Sequence, residues 1–138
     1  DNAVEIIGEG TLTINVLGDT YDGIYVGDDF KISDEATVEI YSKGGLGISG
    51  DGIVEIDDAT VDSTGRYAGI DAYGLKITNG SDVRLMATYD NCNGAFIRKD
   101  NEGTGGNIEL IASNVKATSY YPGLYAGDKL TVNGGEVK

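Results

Sequence analysis

Residues 21–33 read YDGIYVGDDFKIS, and residues 121–133 read YPGLYAGDKLTVN with the same spacing. A weaker copy, YAGIDAYGLKITN, occupies residues 67–79. A phrase that returns at matched positions indicates an internal repeat, and a repeat period of about 20 to 50 residues is typical of solenoids and related arrays. This repeated phrase decides the predicted fold.

A glycine followed by a small or aliphatic apolar residue marks the start of each repeat unit. The first three of these glycines, Gly23, Gly47 and Gly69, are 24 and 22 residues apart, and the 54 residues from Gly69 to Gly123 hold two longer units. In the first unit Ile6 takes the same role without a glycine. The start residues are then Ile6, Ile24, Ile48, Ile70, Ala95 and Leu124. The chain therefore contains about six units.

Within each unit the apolar residues lie two apart and then break at a turn, which is the period of strands and not of helices. The second strands contribute Leu12 with Ile14, Phe30 with Ile32, Val54 with Ile56, Leu75 with Ile77, Ile108 with Leu110, and Leu130 with Val132. The third strands contribute Val38 with Ile40, Val61, Val83 with Leu85, Val115 with Ala117, and Val137. So small a unit cannot bury its own apolar face, but stacked units can.

We therefore predict an all-β fold, a right-handed parallel β-helix of about six coils with three short strands each, in a single domain over residues 1–138. The right hand follows from the strong preference of parallel crossovers. An antiparallel sandwich is the alternative, but it does not explain why equivalent positions match from unit to unit. The outward middle positions of the second strands agree with in-register stacking, because lysines alternate there with carboxylates. They are Thr13, Lys31, Glu55, Lys76, Glu109 and Thr131.

The composition excludes several functions. The net charge of -13 disfavours nucleic acid and anionic membrane surfaces as partners. The chain has no histidine, which removes the commonest general base and zinc ligand, and its one cysteine, Cys92, has no internal disulfide partner. No apolar run is long enough for membrane insertion. No capping helix covers the predicted end coils, so we expect either excision from a longer surface protein or end-to-end self-association through strand edges.

The pattern DGI at residues 22–24, then a polar gap, an aliphatic-x-Ile strand and a following Val-x-Ile strand, resembles secreted bacterial carbohydrate-binding β-helix domains. Those domains are similar in shape to pectate lyases and lack an evident catalytic site. The resemblance implies binding of acidic plant polysaccharide, a secreted or cell-surface location, and calcium held by turn carboxylates. Asp22 matches the aspartate of the DGI motif. The other units have Leu46, Ala68, Asn93 and Pro122 at that position.

Acidic residues concentrate in the turns between the predicted first and second strands. Oxygen ligands that converge on a turn suit calcium, which takes six to eight of them. The candidate metal ligands are Asp22, Asp28, Asp29 and Asp51, and Glu9, Asp100 and Asp128 lie in equivalent turns. The alternative is that aspartates cap the turns and solvate the corners.

Aromatic residues cluster where units start. A tyrosine ring offers a sugar both an apolar face and a polar tip, although tyrosine also suits exposed strand positions on any sheet. The candidate glycan contacts are Tyr21, Tyr25, Tyr67, Phe96, Tyr121 and Tyr125. We expect Tyr21 with Tyr25, and Tyr121 with Tyr125, to form separate subsites. Arg98 and Lys99 open the inserted segment 98–107 and could meet a uronate carboxylate.

Three functions remain open from the sequence. The first is a non-catalytic, calcium-assisted polysaccharide-binding module. The second is a structural stalk or adhesin repeat domain with no affinity for glycans. The third is a calcium-dependent polysaccharide lyase, which would need an arginine or lysine base beside a carboxylate cluster. The only arginines are Arg66, Arg84 and Arg98, and the predicted register places Arg84 and Arg98 on different faces.

Overall fold

The protein, described by a computed structural model over residues 4–138, consists of strands joined by turns. The strands are β1 (Val4–Ile7), β2 (Gly10–Val16), β3 (Ile24–Val26), β4 (Phe30–Ser33), β5 (Ala36–Ser42), β6 (Ile48–Gly50), β7 (Ile53–Asp57), β8 (Thr60–Gly65), β9 (Ile70–Ala72), β10 (Gly74–Thr78), β11 (Asp82–Ala87), β12 (Ala95–Ile97), β13 (Asn107–Thr118), β14 (Leu124–Ala126) and β15 (Leu130–Val137). Across residues 4–138 no helix has the length and apolarity to cross a membrane.

The strands stack into parallel ladders, which confirms an all-β solenoid of about six turns. The first strands form a five-stranded sheet in the order β14-β12-β9-β6-β3. The second and third strands belong to one ten-stranded sheet, because β13 and β15 each continue through the corner that separates these strands elsewhere. We call its two parts the second-strand face and the third-strand face. The right hand of the coil stays a prediction.

The apolar rows fill the inside of the coil as predicted. Ile48, Ile70 and Ala95 are fully buried and lie opposite one another in successive first strands. In the second strands Val54, Leu75 and Ile108 make the equivalent buried row. Every residue in such a row packs on its equivalent above and below, so the core is continuous along the solenoid.

The glycine before each first strand is required by close contact between coils. The Gly47 amide donates to the Ala68 carbonyl at 3.0 Å, and the Gly69 amide donates to the Gly94 carbonyl at 2.8 Å. A Cβ atom on Gly47 would lie 2.6 Å from the Gly69 carbonyl oxygen, closer than real Cβ atoms come. Only glycine therefore lets the chain turn into the first strand at this separation, which explains the repeated phrase.

The predicted register of the first unit is wrong. Ile6 lies opposite Ile32 in the second-strand row, and Leu12 lies opposite Val38 in the third-strand row. The unit therefore has second and third strands and no described first strand. The error arose because six residues separate Ile6 from Leu12, and the same offset separates Ile24 from Phe30 and Ile32 from Val38. The missing glycine before Ile6 was the signal that this residue does not start a first strand.

This correction moves Thr13 and Glu9 to other parts of the fold. It also adds a carboxylate to the outward charged row of the second strands. Thr13 lies opposite Glu39 on the third-strand face, and Glu9 lies in the corner between second and third strands. Glu5 replaces Thr13 beside Lys31. The outward row of the second-strand face is then Glu5, Lys31, Glu55, Lys76, Glu109 and Thr131.

Ion pairs within this row confirm the predicted alternation. Lys31 Nζ lies 3.4 Å from Glu55 Oε1 and 3.6 Å from Asp57 Oδ2, and Lys76 Nζ lies 3.9 Å from the same Glu55 oxygen. The Glu55 carboxylate, with Asp57, raises the pKa of Lys31. Pairs this exposed contribute little each, so the row mainly favours the correct register.

Candidate functional site

The outward side chains of the five-stranded sheet form one row that combines aromatic and polar groups. We call it the aromatic row. Its members lie opposite one another on neighbouring strands in the order Tyr25, Ser49, Asp71, Phe96 and Tyr125. At about 4.8 Å per strand the row is about 19 Å long, which suits a chain-like ligand better than a compact one.

Phe96 and Tyr125 form the apolar end of the aromatic row. Their ring centroids are 4.8 Å apart with 24° between the planes, so the rings are stacked. Tyr125 is 44% exposed. Two stacked rings on adjacent, hydrogen-bonded strands form an apolar patch at this end of the row.

Tyr25 forms the other end of the row and is tied to the neighbouring coil. Its hydroxyl donates to Asp51 Oδ2 at 2.7 Å, while the residue stays 65% exposed. This hydrogen bond, together with the negative charge of Asp51, raises the pKa of the Tyr25 hydroxyl. Ser49 lies between Tyr25 and Asp71 and is small and buried. The row therefore has a depression between its two aromatic ends.

Asp71 and Arg98 form an ion pair in the middle of the row. Arg98 Nε donates to Asp71 Oδ1 at 2.7 Å, and Arg98 Nη2 lies 3.9 Å from Asp51 Oδ1. The Arg98 guanidinium also lies over the Tyr73 ring, 4.2 Å from its centroid. Arg98, Tyr73, Asp51 and Asp71 therefore form one connected cluster, which includes the Asp71 position of the aromatic row.

Burial and ion pairing act in opposite directions on Asp71. Its side chain is 17% exposed. Burial raises the pKa of Asp71, the Arg98 guanidinium lowers it, the charges of Asp22 and Asp51 raise it further, and the net direction is upward. For Arg98, burial lowers the pKa, but the Asp71 carboxylate and Tyr73 outweigh it and the net direction is again upward.

Sequence reasoning missed Asp71 and Tyr73. Asp71 occupies the same outward position as Tyr25 and Phe96, one residue after the inward start residue of its strand. The repeat alignment therefore gave a signal for its place on the sheet. No sequence pattern indicated that Arg98, from the next coil, would reach back to it.

The two members of each predicted tyrosine pair lie on different elements. Tyr21 and Tyr121 lie in the corners between third and first strands, whereas Tyr25 and Tyr125 lie on the sheet itself. Tyr67 is also a corner residue. Its ring meets that of Tyr89 edge to face at a centroid distance of 5.9 Å.

Arg66 lies in the same corner as Tyr67, and Cys92 lies in the same corner as Tyr89. The Arg66 guanidinium lies 5.4 Å from the centroid of Tyr67 and 4.8 Å from that of Tyr89. Cys92, in the following corner, is partly buried, and burial raises the pKa of its thiol. A raised pKa disfavours the reactive thiolate.

Three of the four aspartates predicted as metal ligands, Asp22, Asp29 and Asp51, accept hydrogen bonds from a neighbouring coil, and Asp28 accepts one from the next residue. Asp22 Oδ1 accepts from the Leu46 amide at 2.8 Å, and Asp29 Oδ1 accepts from the Ile53 amide at 2.7 Å. Asp28 Oδ1 accepts from the Asp29 amide at 2.9 Å. Across residues 4–138 no group of three or more histidine, cysteine, aspartate or glutamate side chains is arranged to hold a metal ion. Asp22 and Asp29 therefore make hydrogen bonds between coils and Asp28 makes one within its turn, and calcium binding stays a prediction.

The inserted segment is fixed by contacts within itself and by an ion pair to the following coil. Lys99 Nζ lies 2.7 Å from Asp128 Oδ1, and the Lys99 backbone bridges that of Gly105. Asp100 Oδ1 accepts from the amides of Glu102 at 2.9 Å and Thr104 at 2.8 Å. With Arg98 paired to Asp71, both members of the predicted basic pair are engaged by carboxylates of the chain.

Comparison with known proteins adds no family assignment: no protein-family model, curated protein or solved structure gives a significant match to the chain.

Proposed function

We propose that the protein is a non-catalytic polysaccharide-binding module of a secreted or cell-surface protein, with the aromatic row as its glycan-contacting surface. The observation that supports this is the placement of exposed Tyr25 and the stacked Phe96–Tyr125 pair at the two ends of one outward row on a hydrogen-bonded sheet. Repeated weak contacts along such a row add up for a polymer ligand. Because the side chains stand on a hydrogen-bonded sheet, little backbone entropy is lost on binding.

The charges beside the row favour a neutral polysaccharide. Arg98 and Lys99 already pair with Asp71 and Asp128. The Asp51 and Asp71 carboxylates would meet a uronate with like charge, in a protein whose net charge is -13. Calcium could reverse this preference by bridging a uronate to the row, so the calcium-assisted form of the proposal is a separate arm of the experiment.

Affinity electrophoresis through gels that contain neutral or acidic plant and bacterial polysaccharides tests the proposal. We expect a neutral polysaccharide to retard the wild type, and Tyr25→Ala and Phe96→Ala/Tyr125→Ala to lose most of that retardation. Tyr25→Phe keeps the ring without the hydroxyl and should be retarded nearly as strongly as the wild type. Tyr89→Ala is a matched control, because Tyr89 is 49% exposed but lies in a corner, outside the five-stranded sheet.

Other results identify the alternatives. The two aromatic-row variants, Tyr25→Ala and Phe96→Ala/Tyr125→Ala, could keep the retardation while Tyr21→Ala/Tyr121→Ala loses it. That result would place the glycan site at the corners. Failure of every polysaccharide, with and without calcium, would favour the structural stalk or adhesin repeat. A rise in ultraviolet absorbance from unsaturated ends, when polygalacturonate is incubated with protein and calcium, would favour the lyase. Retardation by an acidic polysaccharide that depends on calcium would support the calcium-assisted form.

A further inference from the structure

The third-strand face contains an outward row of charges that the proposed glycan site does not use. In successive coils the row reads Thr13, Glu39, Asp62, Arg84 and Lys116. All five side chains are exposed. We call this the segregated row, because two acidic residues occupy one half and two basic residues occupy the other.

The segregated row differs from the charged row of the second-strand face. There, lysines and glutamates alternate and form ion pairs between coils. Here, Glu39 lies opposite Asp62 and Arg84 lies opposite Lys116, so like charges stand on neighbouring strands, which is destabilising. Across residues 4–138 none of these four side chains makes an ion pair within 4.0 Å. Asp62 lies opposite Arg84 on the neighbouring strand, but the two side chains do not approach within 4.0 Å, so ion pairs among residues 4–138 do not neutralise the row.

A partner that neutralises this row must present positive charge to one half and negative charge to the other. A polyanion would neutralise Arg84 and Lys116 but would be repelled by Glu39 and Asp62. A second copy of the same face, turned so that the two solenoids run in opposite directions, satisfies both halves. The row is self-complementary because its sign changes at the midpoint between Asp62 and Arg84.

We propose that two copies of the protein associate through their third-strand faces as a two-fold symmetric dimer. The axis lies parallel to the strands and passes between Asp62 and Arg84. Asp62 then faces the partner's Arg84, and Glu39 faces the partner's Lys116. Each contact occurs twice, as in any isologous interface.

The rows on either side of the segregated row fit the same arrangement. On one side Thr60 would face the partner's Asp82, and on the other Thr64 would face the partner's Met86. Thr37 would face the partner's Asn114 in the same way. The hydroxyls of Thr60 and Thr37 meet a carboxylate and an amide, Thr64 meets a thioether, and no like charges meet in these contacts. Two shallow depressions, of about 150 and 210 Å³, are both lined by Asp62 and Arg84 and give room for side chains of the partner.

The size of the face predicts a weak, salt-sensitive dimer. Five strands of about six residues cover about 20 by 24 Å, so both copies together would bury about 1,000 Å², the lower limit for a specific interface. Exposed charge pairs are screened by salt. We therefore expect a dissociation constant in the micromolar range that rises at least tenfold between low and high salt.

Charge reversal tests the proposal by sedimentation velocity at low salt. Asp62→Arg alone and Arg84→Asp alone each place like charges in both central contacts, so each variant should be monomeric. An equimolar mixture of the two should form a heterodimer, and the double variant Asp62→Arg/Arg84→Asp should dimerise like the wild type. Asp90→Arg and Lys129→Asp change the net charge equally outside this face and should leave the dimer intact.

Clear outcomes overturn the proposal. A wild type that stays monomeric up to high concentration at low salt would do so, as would single reversals that still dimerise or a mixture that stays monomeric. Melting temperatures of the variants, measured in parallel, distinguish lost association from lost folding. Stronger retention of Lys129→Asp than of Arg84→Asp on a polyanion column, without dimerisation, would assign the row to an anionic ligand instead. None of these results depends on glycan binding.

Discussion

At the scale of single residues, Asp71 is a carboxylate that is largely buried and paired with a guanidinium. Its side chain is only 17% exposed, and its hydrogen bond from Arg98 offsets part of the cost of burying a carboxylate. Burial is nevertheless the larger effect, and the neighbouring charges of Asp51 and Asp22 add to it. Protonation of this carboxylate would remove the charge that pairs with Arg98.

The raised pKa of Asp71 predicts a specific pH dependence of folding stability. The folded state holds the Asp71 proton more tightly than the unfolded state, where the pKa is near the ordinary value of 3.8. The stabilising effect of this proton is complete below pH 3.8 and is lost as the pH rises through the raised value. Asp71→Asn removes this loss, so we expect wild type to lose stability relative to Asp71→Asn as the pH rises through that window.

Denaturant unfolding of both proteins from acid to neutral pH checks this expectation. The asparagine still offers Arg98 an oxygen acceptor, so the comparison isolates ionisation from hydrogen bonding. Asp90→Asn, at an exposed aspartate in a loop, controls for the loss of one negative charge. A difference curve that falls in the opposite direction would mean that the ion pair with Arg98 outweighs burial.

At the scale of strands and corners, the glycine ladder sets the spacing between coils. In Gly47→Ala the new Cβ would press on the Gly69 carbonyl oxygen at 2.6 Å and on the Ser63 hydroxyl. Backbone cannot move aside cheaply in the middle of a stack, so we expect a loss of about 1–3 kcal/mol in the free energy of unfolding. Gly27→Ala is the matched control, because its Cβ meets only the Tyr25 hydroxyl at 3.8 Å.

The two glycine variants are compared by urea unfolding. Gly27→Ala should stay within about 0.5 kcal/mol of wild type, since its site is open. Equal stability of Gly47→Ala and wild type would show that the coils can separate at this corner, and would remove the stated reason for the repeated glycine.

The sequence predicts these elements wherever two independent signals coincide. From Gly23 to Leu124 the glycine and the alternating apolar pairs agree, and the register follows. In the first coil only the alternation was present, and equal six-residue offsets made second and third strands indistinguishable from first and second. For the same reason Tyr25, Phe96 and Tyr125 were predictable as surface residues. The pairing of Arg98 with Asp71 was not, since it depends on side-chain conformation between coils.

At the scale of the whole molecule, stability is a sum of contacts between neighbouring coils. Central rows are fully buried, whereas equivalent residues in the outermost described coils, such as Leu12 and Leu130, are 39% and 48% exposed. End-to-end association through these coils stays a prediction. It would produce filaments that replacement of the apolar Leu12 or Leu130 by a polar residue disrupts. This sensitivity distinguishes it from the salt-sensitive face-to-face dimer.

The same gradient predicts that one substitution has different consequences in neighbouring coils. Ile108 and Leu130 are opposite each other in one row, but Ile108 is fully buried and Leu130 is half exposed. Ile108→Asp places a carboxylate among apolar side chains with contacts on both sides and should cost more than about 4 kcal/mol, enough to unfold most domains of this size. Leu130→Asp can turn its carboxylate to water and should cost about 1 kcal/mol. Circular dichroism melting of both variants measures the difference. Equal melting temperatures would mean that the coils do not share one continuous core, because a solenoid core must tolerate a charge at its end and not at its centre.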